Sequence, residues 1–288
     1  MAVVRVVTDS SCDLPAAVVK EHRITVVPLT IRFGDEEFVD GRDLTPSDFW
    51  ARSARSSVLP STAAPSPGAF EQAFRGAAAD GADGVVCVNL SSKLSATIQA
   101  AEAAAKALVG ELPVRTVDSK SVSLGLGTIC IEAAKAGARG ASVDEVAAMA
   151  AGMGARTRVY ATLDTLENLK KGGRIGAAKA LMGSILSVKP VIEVVDGAVE
   201  PGAKVRTRAK AFQYLIDRVT AEPAVENLAV LHGDAPDLEQ FLELLAAHYP
   251  REQIVIGQLG AVVGSHTGPR TIGVAFQVPG EENQTRST

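Results

Sequence analysis

The 288-residue sequence has few cysteines, few aromatic residues and no long apolar run. Its three cysteines, Cys12, Cys87 and Cys130, are isolated and form no CxxC pair, which favours a reducing compartment and roles as small buried apolar residues. Aromatic residues make up 4% of the chain and the net charge is −4, so a nucleic-acid-binding surface is not expected. Arg5 and Asp9 interrupt the first apolar stretch, and no uncharged run could span a bilayer. We therefore expect a soluble cytoplasmic protein without a signal peptide.

The common nucleotide-binding and hydrolase motifs are also missing. Gly125 and Gly127 form a GxG, but Cys130 stands where the dinucleotide fingerprint needs its third glycine. There is no GxxxxGK[ST] loop and no GxSxG nucleophile elbow. The four histidines lack metal-ligand spacing: His22, His232, His248 and His266. We therefore expect no metal site and no cofactor.

The pattern of elements divides the chain into two halves. In residues 1–153, short apolar runs alternate with helical patterns, which predicts an N-terminal α/β domain with a parallel sheet. In residues 154–288, the turn dipeptide Asp196-Gly197 predicts a hairpin, so we expect a C-terminal α+β domain with a mixed or antiparallel sheet. The polar tail, 281–288, is expected to be disordered.

The stretch Val85–Ala101 joins an apolar run to a hydroxyl-rich turn and an alanine-rich helical pattern. This order predicts strand, turn and helix, with Ser95 near the helix N-terminus, where unsatisfied N–H groups favour an anion. The alternative is that Ser95 only caps its own helix. Two more polar segments break an otherwise aliphatic chain, Pro60–Pro65 (PSTAAP) and the turn Gly264–Gly268 (GSHTG), which contains His266. We expect the three segments to converge on one site.

Hydroxyls, a histidine and an arginine among aliphatic residues suit a carboxylate attached to an apolar chain. A buried carboxylate needs hydrogen bonds or a compensating charge, and Ser and Thr hydroxyls can donate at low desolvation cost. The arginine is Arg174, at the end of the segment KKGGR (170–174). Two readings of that segment stay open, a phosphate grip and an ordinary helix end. As a lone residue, His266 fits a hydrogen-bonded loop histidine better than a catalyst.

Several longer motifs make the sequence resemble the DegV family over residues 3–276, a family that includes the fatty-acid-binding subunit of bacterial fatty acid kinase. The motifs are TDSSCDLP (8–15), the Ser/Thr segment 61–65, SSKLSAT (91–97), VDS (117–119), LKKGGRIGAAKALMGSILSVKPVIEVVDG (169–197), KVRTRAKA (204–211) and VVGSHTGP (262–269).

This resemblance implies a two-domain carrier that buries one long-chain fatty acid between its domains. By similarity, Ser95 donates directly to the carboxylate with help from Thr62, while His266 and Arg174 complete the polar network. Arg206 is assigned to docking a partner or to handling phosphate. The carrier is not an enzyme. It presents the carboxylate to a separate ATP-dependent kinase and then holds the acyl phosphate for an acyltransferase, with transient membrane contact, in phospholipid metabolism.

The resemblance leaves some questions open. Release of the ligand suggests a lid, for which the predicted helix Ala177–Val188 is our hypothesis. Ala96 and Arg270 stand where family members usually carry glycine, and could alter the pocket or its head-group preference. The alternative function is an autonomous enzyme on a small carboxylated or phosphorylated substrate, which needs Ser95 activated by His266. A nucleotide-binding regulator is a third reading.

Overall fold

The computed structural model describes residues 3–182 and 188–280 of the chain. Its strands are β1 (Val4–Asp9), β2 (Thr25–Val27), β3 (Thr30–Phe33), β4 (Glu36–Val39), β5 (Ser61–Ala63), β6 (Gly84–Asn89), β7 (Val114–Asp118), β8 (Thr157–Thr162), β9 (Lys189–Val195), β10 (Ala198–Val205), β11 (Glu226–His232), β12 (Val255–Gln258) and β13 (Ile272–Gln277).

The α-helices are α1 (Ala16–Glu21), α2 (Pro46–Ser53), α3 (Pro67–Ala79), α4 (Thr97–Ala107), α5 (Leu124–Ala138), α6 (Val143–Arg156), α7 (Glu167–Lys171), α8 (Arg208–Thr220), α9 (Leu238–Ala246) and α10 (Ala261–Thr267). Short 3-10 helices occupy Ser10–Cys12, Gly176–Leu181 and Arg251–Gln253. Within the ranges that the structure describes, no helix has the length and apolar character needed to cross a membrane.

The N-terminal sheet is parallel and has the strand order β2-β1-β6-β7. Every residue of β6 is buried, as the continuous apolar run around Val85 suggests, because a parallel strand covered on both faces shows no polar alternation. The polar residues that follow β1, β6 and β7 gather at one edge of this sheet, the carboxyl edge, where ligands of such sheets bind. The predicted parallel α/β unit is confirmed.

The second sheet has six strands in the order β10-β9-β8-β13-β11-β12. Its pairs are antiparallel except β11 with β12, so the predicted mixed or antiparallel sheet is also confirmed. The hairpin β9–β10 turns at Asp196 and Gly197, with φ of 47° and 81°. Positive φ at both central residues is the geometry that favours an Asp-Gly turn.

A third sheet, with the order β4-β3-β5, was not predicted. The apolar pattern of Ile24–Phe33 by itself predicts one strand, but the structure divides it at Pro28 and Leu29 between the parallel sheet and the small sheet. Proline has no N–H to continue a ladder, and the Leu29 N–H instead donates to the Ser10 hydroxyl at 3.0 Å. The polar segment Pro60–Pro65 likewise contains a strand, β5, which pairs with β3.

Helix α5 lies between the two larger sheets and is buried along most of its length. It is apolar on all sides, as a helix with packing partners all round must be. Its glycines allow close contact: a Cβ on Gly127 would lie 2.8 Å from the Cys12 carbonyl oxygen. The helix begins at Leu124, although the sequence pattern predicts a helix only from about Thr128 to Ala138. The predicted boundary between residues 153 and 154 falls in the last turn of α6 and stays a prediction.

Three local expectations need correction or lie outside the description. Asp13 followed by Pro15 predicts a helix cap at Asp13, but Pro15 is the N-cap of α1, and Asp13 is buried with a φ of 50°. The expected turn Gly264–Gly268 is the last part of α10, because the buried apolar residues before it continue as helix. The predicted helix Ala177–Val188 starts as a 3-10 helix, and its residues 183–187, like the tail 281–288, lie outside the described residues. The lid hypothesis therefore stays untested.

Because α5 is closely packed, we expect a glycine-to-alanine substitution in it to destabilise the protein, the opposite of the usual effect in a helix. Glycine to alanine inside a helix normally stabilises by roughly 0.5–1 kcal/mol. At Gly137 the new Cβ would lie 2.8 Å from the Val4 carbonyl oxygen, so we expect Gly137→Ala to lower the free energy of unfolding by about 1–3 kcal/mol. Gly76→Ala in α3, where a Cβ meets no atom within 4 Å, is the matched control and should stabilise. Urea denaturation of both variants measures the difference, and an equal gain at both positions would contradict the packing.

Candidate functional site

One internal cavity contains all four residues that the sequence analysis assigns to the carboxylate site: Ser95, Thr62, His266 and Arg174. The cavity volume is about 80 Å³, well below the roughly 300–1,000 Å³ usual for small-molecule sites, so a long ligand would have to move the walls apart. Most of its wall is aliphatic and comes from both halves of the chain: Leu29, Leu90, Leu94, Val122, Val159, Ala161, Leu169, Ile192, Val194, Val199, Leu231, Val262 and Val263. Further polar residues on the wall are Ser123, Glu193 and Thr267.

Four separate elements supply the polar cluster of the cavity. Thr62 is the middle residue of β5, and His266 lies in the last turn of α10. Arg174 follows the end of α7, and Ser95 lies just before α4. All four side chains are partly buried. The predicted convergence of the three polar segments is thus what the fold produces.

Thr62 and His266 form the central contact of the cluster. The Thr62 hydroxyl and the His266 Nε2 are 3.2 Å apart, and the tautomer decides which of them donates. The Nδ1 of His266 is buried and has no hydrogen-bond partner among the described residues. It lies against Gly172, where a Cβ would collide with it. Gly172, the first glycine of the KKGGR segment, thus leaves room for the imidazole.

The histidine is neutral and the arginine carries the positive charge. Burial, together with the smaller effect of the nearby Arg174 guanidinium, lowers the pKa of His266 to about 4. Both effects disfavour the imidazolium, because one is desolvation and the other is repulsion between like charges. At neutral pH the cluster therefore has one cation, Arg174, beside neutral hydrogen-bonding groups.

Arg174 also joins the two halves of the cavity. Its Nε donates to the Leu94 carbonyl oxygen at 3.0 Å, directly before Ser95, and its Nη1 donates to the Gly172 carbonyl oxygen at 2.7 Å. Gly172 in turn lies beneath His266. The guanidinium thus fixes the turn that presents Ser95 relative to the segment that supports the histidine. The helix-end reading of KKGGR is correct for α7, which ends at Lys171, and the arginine beyond it belongs to the cavity.

Ser95 is not the N-cap of its helix. Ala96 occupies that position, without a side-chain cap, and the Ser95 hydroxyl pairs instead with the Thr97 hydroxyl at 2.9 Å. The Thr97 N–H points to the same oxygen at a longer 3.3 Å. Ser95 thus lies at the start of α4, near backbone donors that its own side chain does not fully satisfy.

The remaining sequence candidates lie away from the cavity wall. Arg206 is exposed, one residue past β10. Ala96 is exposed with an ordinary φ of −78° and is absent from the cavity lining among the described residues, so its methyl group gives no sign of reshaping the pocket. Arg270 is exposed, has a φ of 62° and pairs with Asp164 at 3.2 Å. A glycine there would accept the left-handed backbone without strain.

Sequence reasoning missed a group of three buried carboxyl groups behind the cavity, Asp9, Asp13 and Asp40. Each is 8% exposed or less. Burial raises the pKa of Asp9, raises that of Asp13 to about 8 and raises that of Asp40 to about 6, while hydrogen bonds oppose the shift in each case. The sequence signal was the acidic, hydroxyl-rich motif TDSSCDLP after β1, in which Asp13 was interpreted as a local cap.

Ser123 on the cavity wall was missed as well. Its φ of 54° and ψ of −139° are a backbone conformation that residues other than glycine rarely adopt. Two hydrogen bonds hold it: its N–H donates to the Ser11 carbonyl oxygen at 2.9 Å, and its hydroxyl donates to Asp13 Oδ2 at 2.6 Å. No pattern in the sequence distinguishes this serine from its neighbours Ser119 and Ser121.

A wider cleft, open to solvent, lies on the far side of Asp13 and Asp40. Its walls include the exposed cations Lys20, Arg23 and Arg42. An apolar chain placed there would remain largely hydrated, so the hydrophobic effect favours the enclosed cavity for such a ligand.

These features define a class: an α/β protein in which two sheets and a buried helix enclose an aliphatic cavity with one compact cationic cluster. Within that class, the chain belongs to the DegV family, whose description is that of uncharacterised proteins and whose model matches residues 3–278. A DegV domain-containing protein of Streptomyces coelicolor is 39% identical over 277 residues, which cover 94% of this chain and 97% of that protein.

Solved structures of relatives have the same fold. A fatty-acid-binding DegV family protein from Thermus thermophilus superposes with a TM-score of 0.87 at 32% identity, covering 96% of this chain and 99% of its own. A stearic acid-binding protein from Eubacterium ventriosum superposes with a TM-score of 0.82 at 25% identity, covering 96% and 98%. DegV family proteins thus bind fatty acids.

The contact between Gly172 and His266 gives a direct test of the cluster's geometry. Gly172 has an ordinary φ of −74°, so Gly172→Ala changes space and not backbone preference. The added methyl group should displace the imidazole, break its contact with Thr62 and raise the His266 pKa from about 4 towards its usual 6.5. Side-chain NMR titration measures this pKa. Gly152→Ala in α6, with no atom within 4 Å of the new Cβ, is the control. An unchanged His266 titration in Gly172→Ala would contradict the described packing.

Proposed function

We propose that this protein is a carrier that binds one long-chain fatty acid in the internal cavity, with the carboxylate at Ser95, Thr62, His266 and Arg174. The observation that supports this most is the distribution of polarity. Among the described residues the wall is mostly aliphatic, its one cation, Arg174, lies among neutral donors, and its one acidic residue, Glu193, lies near the Tyr160 and Arg218 side chains. A monoanion with a long apolar body fits this distribution. The family's solved members include proteins described as fatty-acid-binding and stearic acid-binding.

Charge balance supports a single carboxylate as the head group. A carboxylate leaves water at a large cost unless it gains a counter-charge and hydrogen bonds. Arg174 supplies one positive charge, and Ser95 and Thr62 supply hydroxyl donors. Neutral His266 can donate through Nε2 in one tautomer without adding a second charge.

The acyl chain supplies most of the affinity in this proposal. Burying about sixteen carbons at ~0.8 kcal/mol per methylene gives an upper bound of about 12 kcal/mol before the ligand's loss of freedom is subtracted. An interaction of this size survives purification. The protein should therefore be isolated with a fatty acid already bound.

We infer further that the chain is a non-catalytic subunit, which presents the carboxylate to a separate ATP-dependent kinase and then holds the acyl phosphate for an acyltransferase that serves phospholipid synthesis at the membrane. Arg206 suits contact with the kinase because it is exposed, next to β10, the strand that contributes Val199 to the cavity wall. Three buried thiols without disulfides are consistent with the cytoplasm, where this pathway would operate.

The autonomous-enzyme alternative needs a Ser95 hydroxyl activated by His266. In the described residues, the Ser95 hydroxyl pairs with Thr97, and the His266 Nε2 pairs with Thr62. A nucleophile and its base should lie within hydrogen-bond reach of each other. Neither side chain has that partner here, so the carrier is the function we favour.

Native mass spectrometry of the freshly purified protein, followed by organic extraction, tests the carrier proposal. We expect one equivalent of a long-chain fatty acid. Ser95→Ala should weaken binding of added fatty acid by about tenfold without loss of fold, because one donor to the charged head group is removed. Ser92→Ala, an exposed serine of the same turn, is the matched control and should bind as the wild type does. A protein that is empty and stays empty when offered a series of fatty acids would refute the proposal.

The kinase step has its own test. We expect Arg206→Ala to bind fatty acid normally but to lose most acyl phosphate formation when it is combined with the kinase subunit and ATP. Lys210→Ala, an exposed cation in the first turn of α8, controls for the loss of one positive charge. Equal acyl phosphate formation by both variants would remove Arg206 from the docking surface and leave the carrier proposal intact.

A further inference from the structure

The helix that carries His266 has no cap of its own. Its N-cap residue is Gly260, which has no side chain, and α10 is seven residues long. Yet this helix contributes Val262, Val263 and His266 to the cavity wall. A short helix with a bare N-terminus is held mainly by its surroundings, since nucleation is costly and its first N–H groups lack partners.

The side chain of Asp13 provides the missing contact. The Gly260 N–H donates to Asp13 Oδ1 at 2.8 Å, across 247 positions in the sequence. Asp13 Oδ2 accepts from Ser123, which borders the cavity at the start of α5. One carboxyl group thus joins the histidine helix to a second wall element. Asp40 lies beside it, where its carboxylate faces the Ala261 N–H.

We propose that Asp13 is a positioning residue for the fatty-acid site: by holding Gly260 and Ser123 together, it fixes α10 and sets the place of His266 against Thr62 and Arg174. The expected effect on fatty-acid binding rests on the proposed function. The effect on the position of α10 and His266 does not, because it is measured in the unliganded protein. Asp13 does not touch the ligand itself.

The backbone of Asp13 is closely packed and has little room to move. A Cβ on Gly257 would lie 2.7 Å from the Asp13 carbonyl oxygen, so the strand leading to α10 packs directly on the Asp13 backbone. Asp13 adopts a φ of 50°, a left-handed conformation that aspartate tolerates better than most residues. Local strain of this kind persists where the surrounding contacts require it.

The two links do not depend on the ionisation of Asp13. With its pKa near 8, the carboxyl group is largely neutral at pH 7. In the neutral acid Oδ1 still accepts from Gly260, while an O–H on Oδ2 can donate to the Ser123 hydroxyl. Asparagine has the same shape and the same pair of functions, an acceptor oxygen and a donor. Asp13→Asn is therefore a conservative variant that preserves the positioning.

Other contacts keep α10 in the fold when Asp13 is removed. The Trp50 indole N–H donates to the Leu259 carbonyl oxygen at 3.0 Å, and the Leu259 N–H donates to the His232 carbonyl oxygen at 2.8 Å. Asp13→Ala is thus expected to fold with a displaced or mobile α10, which allows position and stability to be measured separately.

The test compares Asp13→Ala with Asp13→Asn and with Asp35→Ala, a control in an exposed turn. In the unliganded full-length protein, Asp13→Ala should raise the His266 titration midpoint from about 4 towards 6.5 and speed amide exchange in residues 260–266 at least ~tenfold. Oleate affinity should fall about tenfold. Asp13→Asn should restore all three values, and Asp35→Ala should change none.

A folded Asp13→Ala protein with an unchanged His266 midpoint would overturn the proposal, because a purely stabilising role would lower the free energy of unfolding without moving the histidine. If Asp13→Ala does not fold, Ser123→Ala decides: a raised His266 midpoint supports the link through Asp13, and an unchanged one refutes it. The His266 titration midpoint is measured without ligand. A wild-type protein that binds no oleate would therefore refute the carrier proposal, while the midpoint of Asp13→Ala would still test the positioning role of Asp13.

Discussion

Placing one cation, Arg174, in a largely aliphatic cavity is the constraint on which the arrangement of this site depends. Most of the described wall is apolar, and its polar groups gather in one compact cluster. Arg174 carries the positive charge there, and the depressed pKa of His266 keeps that side chain neutral. The same guanidinium donates to the Leu94 and Gly172 carbonyl oxygens, so the group that carries the charge also sets the spacing of the residues around it.

The buried carboxyl groups of Asp13 and Asp40, behind the cavity, contact the backbone of α10, which forms part of the cavity wall. Buried carboxyl groups are costly and usually mark function, but Asp13 and Asp40 point away from the ligand space and towards the backbone of α10. Their raised pKa values follow from burial, which their hydrogen bonds only partly offset. The hairpin β9–β10 is tied down similarly, since the Ser91 hydroxyl donates to the Gly197 carbonyl oxygen at 2.7 Å. The polar cluster of the cavity and the buried carboxyl groups behind it are therefore separate sets of residues.

The sequence predicted the parts that depend on local pattern. The apolar run at Val85 and the Asp196-Gly197 turn led to the correct types of sheet, because burial and turn chemistry act over a few residues. Of the site residues, only Ser95 follows a strand of the parallel sheet, where ligand-binding loops gather. Thr62, His266 and Arg174 reach the cavity through β5, α10 and the segment after α7, so their place depends on tertiary contacts. The failures have two causes. Pro28, which divides a strand between two sheets, is a local signal, whereas Asp13 contacts a residue 247 positions away, which only tertiary structure reveals.

The composition of the cluster also explains why a carrier of this kind would need a partner for its chemistry. Phosphoryl transfer is stabilised by several positive charges arranged around the transferring group. The head-group cluster has one, Arg174, which matches one carboxylate, and a histidine that burial keeps neutral. Adding a phosphoryl group at this site raises the negative charge beyond what Arg174 balances. If the site binds a carboxylate as proposed, the additional positive charge must come from outside the cavity, as it would from the proposed separate kinase.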